Sequence, residues 1–366
     1  MQTINVFNTE MPKRKCNITF ILGNGFDLNL GMDTRYSDMY KGYIEQPSII
    51  GYIDKFKKHL NDQAPIFEKW GDFEMAMAEY AKTLSSEEEF VGCVRDFKGY
   101  MVKYLTDENN KMVELIKNTQ NTKGILDELD KSLTKFYDGL TPNDMNKIKS
   151  IIEKSDVVRN YITFNYTMPL ESLLAIRARD EAIWERAPIH IHGKLGSDIV
   201  LGVDYEDQLT GIKFDLTRKG ERAFIKPLFN EQFDKARVET TKNIILESSI
   251  ICLYGFAMGE SDNTWVWLLG DWLLANKQHH LVYYNYNSPK LDSYNSDEIM
   301  EVEEELKFAL WKKLGLEENS VLDQIHIPVG RNLFNFNFKE IVPHILKPSE
   351  FNPLDTYESK ALAVKE

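Results

Sequence analysis

Short apolar runs alternate along this chain with longer stretches in which apolar residues recur every three or four positions. The first run, Ile18-Thr19-Phe20, opens a strand. Strand signals then lapse for well over a hundred residues and return at Val158 to Phe164, Ile189 to His192, Ile199 to Val203, Ile250 to Tyr254 and Leu281 to Tyr284. Helical periodicity fills the gaps at about 168–180, 232–247, 261–275 and 298–313. Several runs are apolar on both faces. Both sides of the sheet must then be covered, and the helices between the strands predict a mainly parallel, Rossmann-like α/β sheet.

The long interval after the first strand has a different texture. Phe67, Trp70, Phe73 and Met77 repeat at spacings of three and four, the stripe of an amphipathic helix. Further helices are predicted over 85–118, 122–138 and 142–155, with Asn/Asp-rich breaks between them. The expected organisation is an α/β domain built from 14–50 and 157–345, interrupted by an all-helical insertion at 51–156. Residues 1–13 read as a leader and 346–366 as a weakly structured tail. Within Trp70-Gly71-Asp72-Phe73-Glu74, Glu74 either faces a pocket or is a solvated carboxylate on a helix packed through its aromatics.

In a parallel sheet, ligands collect outside the carboxyl ends of the strands, so the polar residues ending each run are the candidates for chemistry. Behind the first strand stands Gly23-Asn24-Gly25-Phe26-Asp27. Such a glycine-bracketed turn either brings backbone N–H groups to a phosphate or makes a structural β-to-α bend. It lacks the Gly-Lys-Ser/Thr ending of a Walker loop and the third glycine of the dinucleotide fingerprint. Later strand ends supply Thr163, Asn165 and Thr167, then His190, His192 and Gly193, then Gly255 to Gly259 with Glu260, Ser261 and Asp262, and finally Asn285 and Asn287.

His190 and His192 share a face if both lie on a strand. Two histidines with no firm third ligand make a weak metal site, to which Asp27 and Asp204 contribute only if the fold gathers them. Proton transfer, or orientation of a water or ribose hydroxyl, is the better use for His192. A hydrogen-bonded structural histidine is the plain alternative. Ser261 and Asp262 precede a helix, and capping it is their most economical role. The same helix start can also hold phosphate, or ribose hydroxyls through Asp262.

Composition narrows the class. The chain has 366 residues, 43% hydrophobic and 12% aromatic, the make-up of a folded protein with a large core. A formal charge of -13 argues against nucleic-acid coating and against an anionic membrane surface. Cys16, Cys93 and Cys252 have neither metal-ligand spacing nor a disulfide framework. No apolar run approaches a membrane span or a signal segment, so a soluble cytoplasmic protein is expected.

The ordered set of Ile21-Leu22-Gly23-Asn24-Gly25-Phe26-Asp27-Leu28, Thr163-Phe164-Asn165-Tyr166-Thr167, His190-Ile191-His192-Gly193 and Leu253 through Asp262 resembles the AbiH family of bacterial abortive phage-infection proteins. Gly31-Met32-Asp33-Thr34-Arg35-Tyr36 and Trp70 to Glu74 also resemble family segments. The resemblance spans most of the chain and implies a role in phage defence. More distantly, the layout is similar to the sirtuin-type NAD-binding fold. Gly23 to Asp27 resembles its first glycine loop, Asn165 its catalytic-site asparagine, His192-Gly193 its catalytic His-Gly pair, and Gly255-Phe256-Ala257-Met258 its ribose-binding turn. Thr167, Phe256 and Ala257 depart from the sirtuin pattern, and the four-cysteine zinc module is missing, which disfavours protein deacylation.

That resemblance implies an NAD-consuming defence enzyme, a glycohydrolase that needs no metal. Asn165 and His192 would be catalytic. Gly23, Asn24, Gly25, Asp27, Thr163, Gly255, Ser261 and Asp262 would bind NAD or a related nucleotide, with the Gly23 turn carrying the pyrophosphate. A phage-derived trigger and a homo-oligomer would complete the picture. The rivals are a metal-dependent nuclease using Asp27, His190, His192 and Asp204, and a non-enzymatic nucleotide-binding sensor.

Overall fold

The computed structural model describes residues 14–62, 73–118, 122–180, 186–285, 296–317 and 319–336. Its strands are β1 (Arg14–Leu22), β2 (Ser155–Thr163), β3 (Ile189–His190), β4 (Ile250–Tyr254), β5 (His280–Tyr284) and β6 (Ile325–His326). All pair in parallel, in the order β3-β2-β1-β4-β5-β6, which is the doubly wound Rossmann order. In this register Leu22 lies beside Thr163 on one side and Tyr254 on the other. The chain order reverses between β1 and β4, so a crevice opens at their carboxyl ends.

The helices are α1 (Gly25–Asn29), α2 (Tyr36–Ile44), α3 (Gly51–Asp62), α4 (Phe73–Ala81), α5 (Glu87–Asn118), α6 (Thr122–Thr134) and α7 (Pro142–Glu153) between β1 and β2. They continue as α8 (Pro169–Asp180), α9 (Arg218–Phe224), α10 (Lys226–Phe233), α11 (Lys235–Leu246), α12 (Asn263–Ala275) and α13 (Ser296–Lys313). Among the described residues, no helix is long and apolar enough to cross a membrane.

Side chains alternate across β1, as the strand period demands. Cys16, Ile18, Phe20 and Leu22 join a core covered by Leu129 and Leu133 of α6, Ile148 of α7 and Leu173 of α8. Ile21 faces the opposite core, with Trp272 and Leu269 of α12 and Leu310 of α13. Burial of each such side chain is worth about 1.5–3 kcal/mol. A third core forms away from the sheet, where α2 to α5 close over Leu195, Ile199, Leu201, Val203 and Phe224. The 32-residue α5, about 48 Å long, links the two regions. Its Phe97 and Met101 lie in the third core, and Met112 and Ile116 lie under the sheet. The helical interval therefore serves two cores: α6 and α7 are a layer of the sheet domain, and α2 to α4 pack in the third core.

Some expectations need correction. Ile199 to Val203 is not a strand of the sheet. Val203 makes a single bridge to Ile225, and Ile199, Leu201 and Val203 fill the helical core instead. β3 stops at His190, and residues 191–192 turn away. β6 is an extra edge strand of two residues, too short to leave an apolar run. Phe67, Trp70, Asn287 and the 346–366 tail lie outside the described residues.

Candidate functional site

At the crevice the turns after β1 and β4 are pressed together. A Cβ on Gly23 would lie 2.4 Å from the Gly255 carbonyl oxygen, and one on Gly25 2.4 Å from Gly255 Cα. Gly255 itself has a φ of 64°, in the left-handed region that favours glycine. The Gly23 amide donates to the Tyr254 carbonyl at 2.9 Å and the Gly25 amide to the Gly255 carbonyl at 3.0 Å. These glycines thus make a backbone clasp. Two of the N–H groups expected to cradle a phosphate are occupied by it. Asn24 lies beside the clasp, bonded to Thr34 through both its amide nitrogen (3.0 Å) and its oxygen (2.6 Å).

Asp27, on α1, is 2% exposed. Its carboxyl accepts from Asn165 Nδ2 at 2.9 Å and from the Thr167 hydroxyl. Burial pushes its pKa up to about 7, although both donors favour the ionised form. The Asn165 main chain is held from two sides. Its amide donates to the Thr163 hydroxyl at 3.1 Å, and its carbonyl accepts from His190 Nδ1 at 2.7 Å. His190 Nε2 meets Glu171 of α8 at 2.5 Å. His190 is therefore a brace behind Asn165.

His192 faces elsewhere, so the two histidines share neither a face nor a partner. Its Nε2 lies 2.9 Å from Asp262 Oδ1. A carboxylate only accepts, so Nε2 carries the proton and Nδ1 the lone pair. Nδ1 is buried and has no hydrogen-bond partner among the described residues. Burial lowers the imidazole pKa, the neighbouring Lys226 ammonium lowers it further, and Asp262 only partly opposes them. The ring is thus a neutral base near pH 7. Lys226, 3% exposed, donates to Asp262 Oδ1 and to the Ser261 carbonyl, both at 2.8 Å. Burial works against the Asp262 charge, but Lys226 and His192 outweigh it and hold the carboxyl well below the usual carboxylate range.

The capping role expected of Asp262 falls to another residue. Asp204 Oδ2 accepts from the Thr264 amide in the first turn of α12 at 2.5 Å, and Asp262 makes no side-chain cap bond. Asp262 is turned inward because the buried Lys226 ammonium needs a counter-charge and the His192 Nε2–H an acceptor.

A cavity of about 150 Å³ lies between these groups. Gly23, Asn24, Asp27, Asn165, His192, Gly255, Ser261 and Asp262 all border it. Of the expected site residues, Thr163 and Gly25 stand behind this lining, in the Asn165 brace and the clasp. The helical interval contributes Tyr36, Met39, Glu74 and Leu105. Glu74 is the pocket-facing residue of its two readings, 6% exposed and receiving the Tyr36 hydroxyl at 2.9 Å. Met258, at φ 54°, holds the lining loop in a conformation that costs roughly 1–3 kcal/mol for a non-glycine residue. A second cavity of about 670 Å³ lies behind His192, bordered by Asp204, Tyr205, Lys226 and Trp265. Lys226 and Tyr36 escaped the strand-end logic because neither follows a strand of the sheet. A lone lysine in Ile225-Lys226-Pro227 carries no local sign of burial.

A family model described as bacteriophage abortive infection AbiH matches residues 19–285. The chain belongs to the AbiH family. The AbiH match begins within β1 and ends just past β5, and so takes in every residue bordering the cavity. Membership makes this a bacterial abortive-infection protein. No curated protein matches the chain.

Proposed function

We propose that this AbiH protein acts in phage defence by hydrolysing NAD at the bond between nicotinamide and ribose. The observation that carries the reading is His192: a neutral, buried imidazole, fixed at Nε2 by Asp262, with the lone pair of Nδ1 unclaimed beside a cavity at the switch point. A base held in one tautomer by a buried carboxylate is suited to take a proton from an attacking oxygen.

The cavity fits one end of such a substrate. A space of about 150 Å³ takes a single ring. Among the described residues, its lining carries the carboxyl groups of Asp27, Glu74 and Asp262 and no lysine or arginine. This lining suits the cationic pyridinium ring and the positive charge that develops on ribose, and it disfavours a pyrophosphate. The nicotinamide ring would therefore enter, with ribose C1′ at the mouth of the cavity and the phosphates outside it. A water oxygen bonds to ribose C1′, the C1′–N bond breaks, and nicotinamide leaves as a neutral molecule with the bond electrons. The water proton passes to His192 Nδ1, and Asn165 orients the ribose or the water. α2 and α4, which bring Tyr36 and Glu74 over the opening, would cover the substrate or respond to a phage-derived trigger.

The nuclease reading is less well supported. Asp27 binds Asn165, His190 binds Glu171, and Asp204 holds the start of α12. Among the described residues, no three His, Cys, Asp or Glu side chains are grouped to hold a metal ion. Incubating purified protein with NAD and following nicotinamide and ADP-ribose checks the proposal. His192→Ala and Asn165→Ala, each with wild-type circular dichroism, are expected to lower turnover by about 100-fold or more. Tight NAD binding without turnover would favour a sensor instead.

A further inference from the structure

At the opposite end of the sheet, where the strands begin, lies a cavity of about 510 Å³. Its lining has a charge unlike that of the whole protein. Among the described residues, Arg14, Lys15, Lys147, Lys154 and Lys277 surround it with a single carboxylate, Glu247, in a chain of net charge -13. Two of the five cations have partners: Lys147 pairs with Asp144 at 3.1 Å, and Arg14 donates to Gln278 at 3.2 Å. Lys15, Lys154 and Lys277 are exposed and make no ion pair with any carboxylate among the described residues.

Part of this charge answers the fold. α7, α11 and α12 all end at this cavity, and a helix carboxyl end carries roughly half a negative charge. Three such ends account for fewer than two of the five cations. An acidic protein that keeps like charges together around a concave space, against their mutual repulsion, has a site poised for a multiply charged anion. The volume is within the range of small-molecule pockets. The Ser150 and Ser155 hydroxyls on the wall already donate to the Lys147 and Ile151 carbonyls, both at 2.8 Å, so the cationic side chains are left to meet the anion. Recognition therefore rests on charge.

We propose that this basal cavity binds a small phosphorylated anion carrying two or more phosphate groups. The site is separate from the His192 cavity and does not depend on NAD hydrolysis. It touches the first residues of β1 and β2 and the residue before β4, the same strands whose far ends build the other cavity, about 30 Å away along β1. A ligand there is placed to bias the strands that carry the Gly23–Gly255 clasp.

Calorimetric titration of the full chain with sodium tripolyphosphate, and separately with ATP, tests this at ~50 mM and ~200 mM salt. The expected result is one site that weakens as salt rises. The triple variant Lys15→Glu, Lys154→Glu, Lys277→Glu should lose at least about tenfold in affinity while keeping the wild-type circular dichroism at the temperature of the titration. Equal affinity for the two probes would mean that phosphates alone are read, and tighter ATP binding would mean a nucleotide. The proposal is overturned if neither probe binds the wild type at millimolar concentration. It is also overturned if the triple variant binds as the wild type does, or if binding is lost with His192→Ala and kept in the lysine variant.

Discussion

Asp27 and Asp262 border the same cavity, and both are turned away from bulk water, yet they differ in their hold on a proton. Asp27 is met by an amide and a hydroxyl, neutral donors that cannot offset its burial, and its pKa rises to about 7. Asp262 is met by the Lys226 ammonium and the His192 ring, which hold it ionised. Burial alone therefore does not set the charge of a carboxyl group; the charge of its partners does. The division also assigns roles. The ionised Asp262 fixes a base, and Asp27 is free to adjust its charge near neutral pH on the side where Asn165 waits.

Removing the cation should break the comparison most severely. Lys226→Met leaves Asp262 with only an imidazole as partner, and loss of one member of a buried pair costs about 3–5 kcal/mol. Urea denaturation at pH 7 is expected to show that loss. Asp262→Asn should follow, with about 100-fold slower nicotinamide release and a nearly unchanged KM, because the tautomer of His192 is no longer fixed. Asp262 raises the His192 pKa and Lys226 lowers it. The acid limb of the pH profile should therefore move to lower pH in this variant, a shift that a merely structural role for Asp262 would not produce.

The smallest effect is expected at Asp27. Its pKa is raised in the folded state, so its contribution to stability is fully present below the unfolded value of about 4. That contribution is lost as pH rises towards 7. Between pH 5 and pH 6 the wild type should lose about 1 kcal/mol from this group, and Asp27→Asn should not. Paired melts at pH 5 and pH 8 would show the variant gaining on the wild type at the higher pH.

The two halves of the site were not equally legible in the sequence. Strand ends marked Asp27, Asn165, His192 and Asp262 because in a parallel sheet the carboxyl ends converge, whatever the loops do. β1, β2, β4 and β5 showed themselves through runs apolar on both faces. Ile199 to Val203 gave the same signal for a different reason, since a loop lining a second core is as apolar as a strand. The partners were hidden. Asp204 and Asp262 both lie at the start of α12 in space, but only Asp262 stands next to it in sequence, and Asp262 is not the cap. Lys226 gains its meaning from a lateral contact across 36 residues. The Gly23 turn was readable as a turn, but the clasp with Gly255 that shapes it joins residues too far apart in sequence to be read there.

The most direct test follows NAD, nicotinamide and ADP-ribose in cells expressing the wild type, His192→Ala or Asp262→Asn, before and during phage challenge. The expected result is NAD loss matched by nicotinamide release in the wild type, abolished in the folded His192 variant and much slower in the Asp262 variant. Protection from phage with NAD unchanged would contradict glycohydrolysis as the effector chemistry.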